Sequence, residues 1–135
     1  MERPDQPKAE TRTILLVDDD SIVREIASEI LTMQGYHVIE APNGHEALQR
    51  MSNGNGPIHL LLTDIMMPGM NGRELAERLL VKQPTLRVVF MSGYNEDDLL
   101  RKGISSRSVT FVAKPFTIQS LSSAVKAVLD GQGNT

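Results

Sequence analysis

Apolar residues fall in five short runs, at Thr13–Val17, Tyr36–Glu40, Ile58–Thr63, Leu86–Met91 and Val109–Ala113. Most are built from Ile, Leu and Val, the composition of strands covered on both faces. Between the runs, apolar positions return with helical spacing. Ile22, Val23, Ile26, Ala27, Ile30 and Leu31 form one predicted apolar face, with Asp20 or Ser21 as N-cap and Gly35 as the stop. A shorter helix is expected from Asn43 to Met51, closed by Ser-Asn-Gly-Asn-Gly. Asn71 is placed to cap a third helix, which turns Leu75, Ala76, Leu79 and Leu80 inward and ends before Pro84. A weaker helical stretch covers Glu96–Lys102. A last one, Thr117–Asp130, is expected to bury Ile118, Leu121, Ala124, Val125, Val128 and Leu129. Strict alternation of strands and helices predicts an α/β fold, a parallel sheet with helices on both faces. In that architecture ligands bind at the carboxyl ends of the strands, at the topological switch point.

Residues 1–12, MERPDQPKAETR, are polar and aperiodic and read as a flexible tail or linker; residues 13–130 read as the folded domain and 131–135 as a disordered terminus. A chain of 135 residues is enough for one domain and too short for two. The net charge of -3 argues against direct binding to nucleic acid through a broad basic patch. The absence of cysteine removes disulfides, thiolate nucleophiles and cysteine metal sites, and fits a cytoplasmic protein. No stretch approaches the roughly 18–20 apolar residues needed to cross a bilayer, so no membrane association is expected.

The chemistry gathers where the predicted strands stop. The first run leads into Asp18-Asp19-Asp20, the third into Asp64, the fourth into Ser92-Gly93 and the fifth into Lys114-Pro115. Carboxylates, a hydroxyl and an ammonium therefore converge on one rim. Asp18, Asp19 and Asp64 repel one another at close range unless something compensates them. A hard divalent cation such as Mg²⁺, which prefers a few carboxylates, a carbonyl and waters, is the natural compensation. Lys114 adds a charge that a salt bridge or an incoming anion could share, and Ser92 adds a neutral donor. Together these groups make a receptor for a phosphoryl group. The central carboxylate can itself be the nucleophile and form an acyl phosphate.

The same residues carry a resemblance. ILLVDDD at 14–20, LLTDIMMPGMNG at 61–72, MSGY at 91–94 and FVAKPF at 111–116 resemble the receiver domain of two-component response regulators, over nearly all of residues 12–130. The resemblance implies a flavodoxin-like (βα)5 fold with strand order 2-1-3-4-5. It implies Asp64 as phosphoacceptor, and Mg²⁺ held by Asp19, Asp64 and the Met66 carbonyl, with Asp18 contributing directly or through water. Ser92 takes the place of the switch hydroxyl and Lys114 that of the phosphate-binding lysine, with a cis bond to Pro115. Phe111 sits where the family's switch aromatic does. The donor implied is a histidine kinase or a histidine phosphotransfer protein. Phosphorylation would alter the surface of the fourth predicted helix, the fifth strand and the last helix, in a monomer or weak dimer. Receivers of this kind are not enzymes beyond their own phosphorylation and dephosphorylation. The sequence stops after the last helix, which leaves a stand-alone receiver or a piece of a larger protein. MSGY and the proline-containing leading tail resemble C-terminal receivers of hybrid sensor kinases, whose parent would be a histidine kinase.

Other readings of the same residues differ testably. Asp18 and Asp20 have the two-residue spacing of an aspartyl phosphohydrolase, although Ile22 stands where that signature wants a hydroxyl. A receiver fold without phosphorylation would be a pure interaction module. Asp20 reads as a helix cap, Phe111 also reads as plain core, and the Met66, Met67 and Met70 cluster as loop packing. His37, His45 and His59 lack metal-ligand spacing. Met66 and Tyr94, two residues past Asp64 and Ser92, resemble gates for the hydrolytic water. Both are bulky and lack a carboxylate, which predicts slow loss of the phosphoryl group.

Overall fold

The computed structural model describes residues 11–52, 56–93 and 110–131. The helix expected at Glu96–Lys102, and Tyr94, lie outside the described residues. Five strands, β1 (Thr13–Val17), β2 (His37–Ala41), β3 (Leu60–Asp64), β4 (Arg87–Ser92) and β5 (Thr110–Ala113), form one sheet in the order β2-β1-β3-β4-β5. Every pairing is parallel. Four helices are seen among the described residues: α1 (Ser21–Met33), α2 (Gly44–Ser52), α3 (Gly72–Lys82) and α4 (Ile118–Leu129).

The period of two along each strand divides the core between the faces of the sheet. Leu15, Val17 and Leu61 pack with Ala47 of α2 and with Leu75, Ala76 and Leu79 of α3. Ile14, Leu16, Leu60 and Leu62 pack with Ala27, Ile30 and Leu31 of α1 and with Leu121, Val125 and Val128 of α4. Both faces are apolar, so β1 and β3 read as unbroken apolar runs.

Two boundaries move in a way that bears on the site. β3 and β4 each continue one residue further than the apolar runs suggest. Asp64 still pairs with Met91, and Ser92 with Ala113. Both polar residues are the last rungs of the ladder, held by the sheet instead of a loose loop.

α1 and α3 carry the expected caps, and α4 adds one that was not expected. Asp20 Oδ1 accepts the Ile22 N–H at 2.9 Å and the Val23 N–H at 3.3 Å, and Gly35 (φ +97°) follows the α1 C-cap Gln34. Asn71 and Glu74 form a reciprocal capping box on α3, as do Thr117 and Ser120 on α4. The predicted apolar face of α1 is wider than the surface that covers it. At 100° per residue its six positions span about 180° of the helix. Ala27, Ile30 and Leu31 are buried, whereas Ile22 and Ile26 are 66% and 48% exposed. Ile118, also expected inside, is 56% exposed in the first turn of α4.

The amino ends of the strands are closed by hydrogen bonds absent from the sequence reading. Arg12 Nη1 donates to the Leu129 carbonyl at 3.4 Å, and Arg87 Nη1 donates to that of Val128, both at the end of α4. His59 Nδ1 accepts the Thr13 N–H at 2.9 Å.

Candidate functional site

At the carboxyl end, the sheet brings together residues far apart in sequence. Asp18 follows β1 and is fully buried; its N–H donates to the Ala41 carbonyl at 3.3 Å and its Oδ1 accepts the Asp20 N–H at 2.9 Å. Asp64 ends β3 and is buried, and Asp19 is exposed. Carboxylate oxygens of Asp18, Asp19 and Asp64 lie within 4.8 Å of one another. Lys114 follows β5, its backbone N–H bound to the Ser92 carbonyl at 2.9 Å. Its Nζ stands 2.8 Å from Asp18 Oδ2 and 3.4 Å from Asp64 Oδ1. The Lys114–Pro115 bond is cis. Ser92, buried at the end of β4, completes the rim.

The electrostatics are unbalanced. Burial pushes the Asp64 carboxyl up to about 6; Lys114 opposes that rise, while Asp18 and Asp19 add to it. Burial alone would lower Lys114, but its close ion pair with Asp18 and the charge of Asp64 outweigh burial and hold it above its usual value. Three carboxylates face one ammonium. Asp18 Oδ2 is buried and makes no hydrogen bond of sound geometry, only the ion pair to Lys114. A cluster of oxygen donors at this spacing, with an excess of negative charge, fits a hard divalent cation such as Mg²⁺.

The loop after β3 is fixed from two sides. The first residue of α3, Gly72, presses on the Asp64 backbone: a Cβ there would stand 2.2 Å from the Asp64 carbonyl oxygen. The Gly72 N–H also donates to the Ile65 carbonyl at 2.8 Å, and the Thr63 hydroxyl donates to the Asp64 carbonyl at 3.0 Å. Met67 and Met70 are buried, with Met70 lying over Gly44, in keeping with loop packing; Met66 is 40% exposed. Among the described residues, a Cβ at Gly93 would meet nothing within 4 Å.

Phe111 is half-buried and stacks on Phe90, with ring centroids 5.9 Å apart. Asp20 is spent as the α1 cap, which removes it from the second-acid role that a phosphohydrolase would need. Two residues at the site were missed by the sequence reading. The close approach of Gly72 to the Asp64 backbone leaves no local signal in the sequence. Arg24 lies six residues after Asp18 among apolar positions of α1, and its Nη1 donates to the Asp18 carbonyl at 2.7 Å. An isolated arginine beside a predicted apolar face was the only available hint.

A five-stranded parallel sheet in this order, with an acidic cluster, a lysine and a hydroxyl at its carboxyl rim, defines a class of signalling domain. The chain belongs to the response regulator receiver domain family, whose model matches residues 14–126. It is a phosphoacceptor receiver domain of two-component signal transduction. Among its relatives, the sensor kinase CckA of Brucella abortus is 36% identical over 120 residues, covering 89% of this chain but 13% of CckA. The sporulation initiation phosphotransferase F of Bacillus subtilis is 34% identical over 121 residues, covering 90% of this chain and 96% of that one. The response regulator TrrA of Thermotoga maritima, solved in complex with Mg²⁺-BeF, is 33% identical with a TM-score of 0.74, covering 87% of this chain and 99% of that one. Among the described residues, no helix is long and apolar enough to cross a membrane.

Proposed function

We propose that Asp64 is the phosphoacceptor, and that Asp18, Asp19, Asp64 and the Met66 carbonyl hold Mg²⁺ beside it. The observation that carries this reading is the convergence of the three carboxylates around a single lysine. Bound there, the ion would offset the charge that builds on the transferring phosphoryl oxygens. A carboxylate oxygen of Asp64 attacks phosphorus as the bond to the donor's leaving atom breaks, and the electron pair departs with the leaving group. The product is an acyl phosphate on Asp64. Lys114, already 3.4 Å from Asp64, is placed to meet a phosphoryl oxygen. Ser92 supplies a hydroxyl to another oxygen, and Phe111, on β5 beside β4, follows the movement of Ser92. The covalent phosphate thereby favours one state of the β4–β5 edge, a shift of population. Met66 crowds the approach of water and provides no carboxylate to activate it, so hydrolysis is slow. Residues 13–130 are the autonomous unit.

The donor is a phosphohistidine protein, a histidine kinase or histidine phosphotransfer domain. An apolar surface beside the site supports this. A cleft of about 310 Å³ is lined by Val23 and Ile26 of α1 and by Lys114, Pro115 and Phe116 after β5, and Ile22 on α1 and Ile118 at the start of α4 are exposed apolar residues. A protein donor has a use for such a surface and a small acyl phosphate does not. Replacing Ile22 and Ile26 together by glutamate is expected to slow transfer from a phosphohistidine protein and to leave labelling by acetyl phosphate intact.

The reading is tested by incubating the protein with acetyl phosphate and Mg²⁺ and measuring intact mass. A single phosphoryl adduct is expected in the wild type, absent with EDTA and absent in Asp64→Ala. An adduct that persists in Asp64→Ala would sink the assignment.

A further inference from the structure

The β1–α1 junction is held by a residue that none of the foregoing chemistry uses. Arg24 is largely buried, and its guanidinium works in two directions. Nη1 donates to the backbone carbonyl of Asp18 at 2.7 Å, and Nε lies 3.3 Å from Glu40 Oε1. Glu40 belongs to β2, where its own carbonyl accepts from Arg50 Nε at 2.6 Å. A chain of contacts therefore runs from α2 through the end of β2 and through α1 to the end of β1. α1 has a separate N-cap of its own in Asp20.

The carbonyl that Arg24 grips belongs to the peptide joining Asp18 to Asp19. Displacing that peptide as a unit would carry the Asp19 Cα, and the side chain on it, away from Asp18 and Asp64. The Asp18 side chain has restraints of its own, namely the Asp20 N–H and Lys114. Asp19 is exposed and, among the described residues, its carboxylate makes no hydrogen bond or ion pair, so its position depends on the peptide that carries it. Arg24 and Glu40 together add no net charge, so they set direction without competing with a cation, as Lys114 must.

We infer that Arg24 is a positioning residue for the cation pocket: by fixing the Asp18–Asp19 peptide it places the Asp19 carboxylate where it meets those of Asp18 and Asp64. This rests on reading the three aspartates as a Mg²⁺ site. Residues that orient ligands from behind typically change metal affinity by about 10- to 100-fold when removed. Because Asp19 is one ligand among several, the low end of that range applies.

The test measures Mg²⁺ binding to the unphosphorylated full chain by calorimetry, alongside urea unfolding in EDTA. Arg24→Met is expected to weaken Mg²⁺ binding about 10-fold while the protein stays folded. Arg24→Lys should recover part of this, because an ammonium reaches the carbonyl but does not bridge to Glu40. Glu40→Gln should shift affinity in the same direction by less, and serves if Arg24→Met fails to fold. With acetyl phosphate, the Mg²⁺ concentration giving half-maximal labelling should rise by the same factor, with the rate at saturating Mg²⁺ unchanged. Equal Mg²⁺ affinity in wild type, Arg24→Met and Glu40→Gln overturns the inference, as does a loss that follows the unfolded fraction alone. A wild type that takes up no Mg²⁺ overturns the pocket itself, a result that calorimetry separates from the former.

Discussion

At the amino end of the sheet, Arg12 and Arg87 donate to the final carbonyls of α4, and His59 accepts the first N–H of β1. At the carboxyl end, Asp18, Asp19 and Asp64 crowd around one ammonium. The strands between are the same, and their apolar residues would seat equally well under either kind of cap. One end spends its charges on stability, since cations at a helix C-terminus meet the negative end of its dipole. The other keeps charges apart from full compensation, so that a ligand can complete them. The proposed site therefore lies at the end where local energetics are worst.

The largest effect is expected where backbone meets backbone at the charged rim. Gly72→Ala puts a methyl group into the Asp64 carbonyl, and we expect a loss of about 3 kcal/mol in urea unfolding together with loss of acetyl phosphate labelling. A fully stable, fully labelled variant would show that the α3 start can move away from Asp64. Next comes Lys114→Met, which leaves Asp18 buried without its ion-pair partner. In EDTA it should lose about 2 kcal/mol after allowance for the partly exposed lysine, and Mg²⁺ should restore more stability to it than to the wild type.

A third change sharpens the contrast by its sign. Asp64 is raised from 3.8 to about 6 in the fold, so between those values the native state binds more protons than the unfolded chain. Stability in EDTA should therefore fall as pH rises from about 4 to about 6, and the cost should persist above that window. Asp64→Asn removes it. The variant should be more stable than the wild type at neutral pH by about 1–2 kcal/mol, discounted for solvent, with the advantage vanishing near pH 4. A variant less stable than wild type at neutral pH would contradict the picture of a frustrated rim. The smallest effect belongs to the opposite end. Arg87→Met forfeits one bond to the Val128 carbonyl and should cost about 1 kcal/mol with Mg²⁺-dependent labelling untouched. Altered labelling there would mean that the two ends are coupled.

Most of the framework was legible because its signals are local. Apolar runs, most of them rich in Ile, Leu and Val, marked all five strands, and Asp20 and Asn71 sat where caps were needed. The rim was legible because polar residues interrupted apolar runs at matching points in four strands. What escaped depended on docking. Periodicity gave the circumference of α1 that is apolar, but not the narrower arc the sheet covers, so Ile22 and Ile26 were turned inward too readily. Arg24 addresses a backbone carbonyl, and the partner of a backbone group leaves no trace in residue type. Gly72 has no left-handed φ to betray it; its lack of a side chain matters only because α3 begins against β3. Arg12 and Arg87 reach α4 across more than forty positions of chain.

Three identical letters, Asp18-Asp19-Asp20, hold three unlike posts: a buried anion, an open one and a helix cap. Dropping any one of them from the gene yields the same shortened protein, so a single deletion poses one choice to the whole segment. It can keep the cap and turn α1 by about 100° against β1, swinging Arg24 off its carbonyl, or keep the helix seated and begin it uncapped. Repetition in the code here conceals a division of labour that admits no slippage.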